Sequence, residues 1–126
     1  MFLPLHDGIA LRYLRRARGT ISLLGLTTLI YIGIVSALLG PAQKLDLGLG
    51  LIPALLFGSA VLGPDILHVP AWLTLMTSLF IHGSLWHLAG NMLFLWVLGD
   101  NVEDAMGSLA FLTFYILCGI GAGLSY

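Results

Sequence analysis

Long apolar stretches alternate with short polar interruptions along this chain, and the interruptions mark out its elements. Residues 1–18 end in Arg12, Arg15, Arg16 and Arg18, and Thr20 to Gly40 then carries no charge. As a helix that stretch reaches roughly 31 Å, enough to cross a hydrocarbon core about 30 Å thick. Pro41 ends it. A basic start before an apolar run also suits a secretory signal peptide. The apolar part of such a peptide is only about 7–15 residues, however, and no clear small-x-small cleavage site follows here. A retained span is predicted.

From Pro41 to Ala71 the pattern is less regular. "LGLGLIPALLFGSAVLG" (Leu47 to Gly63) is apolar, but Pro53 and several glycines weaken it as a straight helix. It predicts a partly embedded outer loop with helical pieces, since irregular backbone at membrane depth needs protein cover. Trp72 to Ile81 is apolar apart from Thr74, Thr77 and Ser78. Ser84 to Gly99 predicts a helix of about 24 Å. "DNVEDAMG" (Asp100 to Gly107) carries three acids and predicts a tight turn in water, after which Ser108 to Tyr126 forms another span. The fold class expected is therefore all-α: a polytopic transmembrane helical bundle with spans at about 20–40, 84–99 and 108–126. A polar segment 1–18 precedes them and an outer loop, 41–83, separates the first two. The last span runs to the final residue with no polar tail, so the chain reads as the first part of a longer one.

Composition turns that pattern into a membrane assignment. The chain is 59% apolar and 9% charged, against roughly 45–50% and about 25% for a soluble domain. That is too little charge to solvate a globule of this size. The net charge of −1 suggests no nucleic-acid partner, and the single Cys118 cannot form an internal disulfide. Four of the five basic residues precede the first span, which places the N-terminus in the cytoplasm. The acidic turn then falls on the same side. It has no Lys or Arg to support this, and acids weigh little in the rule.

Three polar residues stand out in "FIHGSLWHLAGNMLFLWVLG" (Phe80 to Gly99): His82, His87 and Asn91. His87 and Asn91 are four apart and share a helical face. Asn91 lies seven residues past Ser84, roughly 10 Å below the outer surface. An unpaired polar group there costs several kcal/mol, so such residues face a bundle interior or a wet cavity. Three roles compete. The pair could join helices by hydrogen bonds, each worth about 0.6–2 kcal/mol. It could bind a metal, but His82 and His87 lack helical spacing and Asn is a rare zinc ligand. It could aim an imidazole N–H and an amide N–H at one developing negative oxygen. Spacing alone leaves the first and third equally good. No metal and no cofactor are expected.

The longer stretch resembles the rhomboid family of intramembrane serine proteases. "MTSLF" (Met76 to Phe80), the run His82, His87 and Asn91, and an acidic turn with Glu103 before Gly107 are similar to the second helix and following turn of that family. "GLIPALLFG" (Gly50 to Gly58) is similar to the outer loop of its bacterial members. The resemblance implies that His87 and Asn91 help form an oxyanion hole. It implies that His82 ties the outer loop to the second helix, that Glu103 is a hydrogen-bonding residue of the turn, and that Gly107 begins the third helix. Many members carry Trp-Arg shortly before the first histidine; here the positions read Leu73 and Thr74, after Trp72.

The family's nucleophile is a serine in Gly-x-Ser-Gly and its base a later histidine. This sequence has no Gly-x-Ser-Gly and no histidine after His87. Ser125 has no paired base and is not nominated. Gly119 and Gly123 form a small-residue contact of the kind that packs helices. The expected function is peptide-bond hydrolysis of transmembrane substrates in the lipid bilayer, with these 126 residues supplying the oxyanion part and being inactive alone. The alternative is a non-catalytic module that binds transmembrane helices. A second copy of the chain is a further candidate partner for His87 and Asn91. The expected location is the bacterial inner membrane, multi-pass.

Overall fold

The computed structural model describes residues 11–14, 16–36 and 42–125. Its frame is three long helices that pack on one another: α1 (Arg18–Val35), α5 (Leu85–Met106) and α6 (Ser108–Leu124). Between α1 and α5 run short pieces: α2 (Ala42–Leu49), α3 (Pro53–Leu56), a 3-10 turn at Ala71–Leu73, α4 (Thr74–Thr77) and a second 3-10 turn at Ser78–Phe80. No strand occurs among the described residues.

Helix α1 buries Thr20, Leu23, Thr27 and Ile34, a spacing that keeps them on one face. Its main partner is α5. The approach is close because α5 presents Gly99: a Cβ there would lie 3.0 Å from Thr20 Cγ2 and 3.1 Å from its Oγ1. Small and polar residues thus share the helix contacts with Leu23, Ile34, Leu88 and Phe111, while many other large apolar side chains point outward. Glu103 and Thr27 are both 0% exposed. Ile21, Leu29, Phe94, Trp96, Leu109 and Leu117 are all exposed. That inverted distribution suits helices that find no hydrophobic drive between them and meet through small and polar side chains.

Two boundaries differ from expectation. The helix expected to stop at Gly99 runs on to Met106, about 33 Å in all. The acidic run is therefore its last turns, and the chain reverses at Gly107 alone. Gly107 has φ 84 and ψ 153, a region open almost only to glycine, and its N–H donates to the Glu103 carbonyl at 2.8 Å. The first helix begins two residues early, at Arg18, and ends at Val35, with Ser36 as its C-cap; residues 37–40 of the expected span lie outside the described residues. Among the described residues, α1 alone is both long and apolar enough to cross a membrane by itself, α6 being apolar but shorter.

The outer segment is tied to itself by hydrogen bonds and rests on α6. Thr77 Oγ1 donates to the Leu49 carbonyl at 2.5 Å and the Val69 N–H to the Gly48 carbonyl at 3.3 Å. Lys44 Nζ meets Asp65 Oδ2 at 2.7 Å in an exposed ion pair, which, with a hydrogen bond from its own backbone, holds the Asp65 carboxyl below its ordinary pKa. Thr74 is buried and donates locally to the Ala71 carbonyl at 2.6 Å. The small residues of α6 serve this segment: a Cβ on Gly119 would fall 2.1 Å from Leu79 Cδ2, and one on Gly123 2.9 Å from Leu51 Cδ2 and 3.2 Å from Leu75 Cδ2.

Candidate functional site

Helix α5 starts cleanly because Ser84 caps it. Ser84 is extended (φ −155, ψ 156) and its Oγ accepts the His87 N–H at 3.2 Å, satisfying one of the free donors of the first turn. The cap fixes the helix register and with it the face shared by His87 and Asn91.

His82, just before the cap, is 6% exposed. With its proton on Nδ1, the ring donates to the Phe80 carbonyl at 3.4 Å and accepts the Asn91 Nδ2–H at Nε2, 2.9 Å away. The ring of His87 meets that of His82 edge to face, with centroids 5.1 Å apart. Burial pushes the His82 imidazole below its ordinary pKa. The Phe80 carbonyl opposes this and the neighbouring His87 adds to it. The neutral ring is the form that can accept from Asn91.

The structure therefore brings all three residues together, but not as spacing suggested. Asn91 spends one amide N–H on His82, and its second N–H remains for another acceptor. His87 makes no side-chain hydrogen bond among the described residues. Neither residue is enclosed: both are exposed and line a groove of about 510 Å³ between α5, α6 and the Ser78–His82 segment. Tyr115, Cys118 and Gly119 form its α6 wall. Those three were not foreseen; only the shared small-residue face of α6 hinted at them.

At the other end of α5 lies a second polar cluster. The Glu103 carboxylate accepts the Gly19 N–H (2.8 Å), the Thr20 N–H (2.7 Å), the Thr20 hydroxyl (2.9 Å) and the Ser108 hydroxyl. One side chain thus joins the start of α1, the end of α5 and the start of α6. Burial would raise its pKa; the bonds from Ser108, Thr20 and Gly19 outweigh that and hold it below the ordinary value. Asp104 accepts the N–H groups of Arg12 (2.6 Å), Tyr13 (2.8 Å) and Leu14 (2.5 Å). Burial raises its pKa and those three bonds, with the Arg12 charge, bring it net below ordinary. Acids at the C-terminal end of α5 oppose its own dipole, yet here Glu103 meets the positive end of α1 and Asp104 the amides of residues 12–14 before it. Asp104 escaped sequence reasoning because its partners are about ninety residues away and are backbone groups, which leave no side-chain signature.

Comparison with known proteins adds a family. Residues 70–126 match the Rhomboid domain. Over 57 residues the chain is 36% identical to "Rhomboid-like protein 11, chloroplastic" of Arabidopsis thaliana, a match that covers 45% of this chain and 20% of that protein. The chain thus spans about a fifth of the relative it matches. No solved structure matches.

Proposed function

We propose, from the match of residues 70–126 to the Rhomboid domain, that this chain belongs to the rhomboid family and supplies the oxyanion-binding part of an intramembrane serine endopeptidase site. In that chemistry a serine hydroxyl attacks a substrate carbonyl and a histidine takes its proton. Charge then develops on the carbonyl oxygen, where positioned N–H donors stabilise it. His87 and the second N–H of Asn91 are those donors. His82 is a positioning residue: by accepting the other amide N–H it fixes which way Asn91 points. The observation that carries this reading is the 2.9 Å Asn91–His82 bond beside an exposed, uncommitted His87 on one groove.

The serine and the base are not among these 126 residues, which hold no Gly-x-Ser-Gly and no histidine after His87. A second reading is a non-catalytic module that binds a transmembrane helix, which the open groove beside His87 and Asn91 also suits. Glu103 and Gly107 are structural in both. In both, α1, α5 (over about 84–99) and α6 cross the bilayer, with 1–18 on the cytoplasmic side and 41–83 outside. The outward apolar side chains and the four arginines at the start of the chain support this.

The test is an assay of the purified chain in detergent against a transmembrane peptide substrate, with a serine-directed covalent inhibitor as control. No cleavage is expected from these 126 residues. Inhibitor-sensitive cleavage would overturn the division of roles. A sizing column run alongside reports whether a second copy covers the groove.

A further inference from the structure

A basic cavity opens at the arginine-rich end of α1. Its volume is about 830 Å³, and Leu14, Arg16, Arg18, Ile21, Ser22 and Ser108 line it. Arg16 and Arg18 are exposed, and neither forms an ion pair among the described residues. The carboxylates of this end are engaged elsewhere. Glu103 is held by Gly19, Thr20 and Ser108, and Asp104 by the amides of residues 12–14. Two guanidinium groups, planar forks suited to phosphate oxygens, therefore line one cavity without a direct ion pair to any acid among the described residues. The Ser22 hydroxyl is a further donor.

Below this polar mouth the surface turns apolar. Ile21, Gly25, Leu29 and Ile32 recur along one face of α1. Ile21, Leu29 and Ile32 are 55%, 69% and 54% exposed, and nothing lies within 4 Å of a Cβ built on Gly25. The result is an exposed apolar face, with a short furrow at Gly25, leading away from a cationic pocket.

We propose that this cavity binds the phosphate headgroup of an anionic phospholipid, with Arg16 and Arg18 as its ligands and an acyl chain along the furrow. The proposal rests on α1 crossing the bilayer. A net negative headgroup is preferred over a zwitterionic one because the choline cation would meet two arginines that form no ion pair among the described residues.

The test is native mass spectrometry of the full chain released from micelles containing equimolar phosphatidylglycerol and phosphatidylcholine. Each arginine is expected to favour the anionic lipid by about 5-fold. Arg16→Gln and Arg18→Gln should each remove about that factor. Arg16→Lys/Arg18→Lys should keep most of the preference, and Arg12→Gln, outside the cavity, should leave it unchanged. Inorganic phosphate at millimolar concentration should not displace the lipid, because it cannot use the furrow; displacement would make this a simple anion site. An Arg12→Gln loss as large as that of Arg16→Gln would reduce the site to diffuse surface charge. Equal retention of both lipids by the unmodified chain overturns the proposal without any variant. A chain that inserts into phosphatidylcholine vesicles yet shows no preference refutes the lipid site alone. A chain that stays in the aqueous phase refutes the membrane reading as well.

Discussion

Replacing Glu103 by glutamine should loosen three helix ends at once. The carboxylate is fully buried and accepts two backbone amides and two hydroxyls. Glutamine keeps one accepting oxygen and puts an N–H2 donor in place of the other. The hydroxyls of Thr20 or Ser108 can rotate and accept instead, but a backbone N–H cannot. Whichever way the amide turns, either the Gly19 or the Thr20 N–H is left buried and unpaired, at about 1–3 kcal/mol. The negative charge at the positive end of α1 is also lost, worth about 0.3–1 kcal/mol. Glu103→Gln should therefore cost about 1.3–4 kcal/mol in total. The assay is denaturant unfolding in mild-detergent micelles, followed by far-UV circular dichroism. Acid supplies a second readout. The folded carboxyl lies below the ordinary value of 4.5, so its stabilisation is fully present above that pH and is lost as pH falls through the folded value. Glu103→Gln should abolish this part of the acid dependence. A loss below about 0.5 kcal/mol with unchanged acid sensitivity would refute the three-way clamp.

The other predictions concern the turn, the outer segment and the histidine. Gly107→Ala should cost about 1–3 kcal/mol. The cost is backbone strain alone, because a Cβ there meets nothing within 4 Å; an unchanged unfolding midpoint would contradict it. Gly119→Val should push Leu79 away and cost about 1–3 kcal/mol by overpacking, visible as faster proteolysis of the 42–80 segment. His82 has a depressed pKa, so its neutral, Asn91-accepting form contributes stability that is present above the ordinary value of 6.5 and lost as pH falls through the folded value. Nitrogen-15 NMR of the Asn91 side-chain amide should show that bond released in acid. In His82→Phe the amide signal should not depend on pH. Asp104→Asn should speed hydrogen exchange at residues 12–14 while leaving exchange in α6 unchanged.

Much of this was legible in the sequence for identifiable reasons. The apolar run after the arginines marks α1, and Ser84 marks the start of α5. The four-residue spacing puts His87 and Asn91 on one face. The end of α5 was misplaced because Asp100, Glu103 and Asp104 read as a solvated loop, whereas two of these carboxylates cap backbone amides of residues 12–20. Composition records that acids are present but not which free N–H groups they meet. The Asn91–His82 bond was hidden for a related reason: nine residues separate the two, and their contact depends on how the chain enters the helix at Gly83 and Ser84. The groove's α6 wall is a packing outcome between distant segments and has no local pattern.

The oxyanion assignment is tested most directly by kinetics of this chain reconstituted with a segment that carries the family's Gly-x-Ser-Gly serine and later histidine. Cleavage of a transmembrane peptide should then appear. His87→Ala and Asn91→Ala should each lower kcat by about 10²–10³-fold with KM little changed, because the donors act on charge that exists only in the transition state. Cleavage with an unchanged kcat in both variants would contradict the assignment and leave the pair as hydrogen-bonding groups between helices.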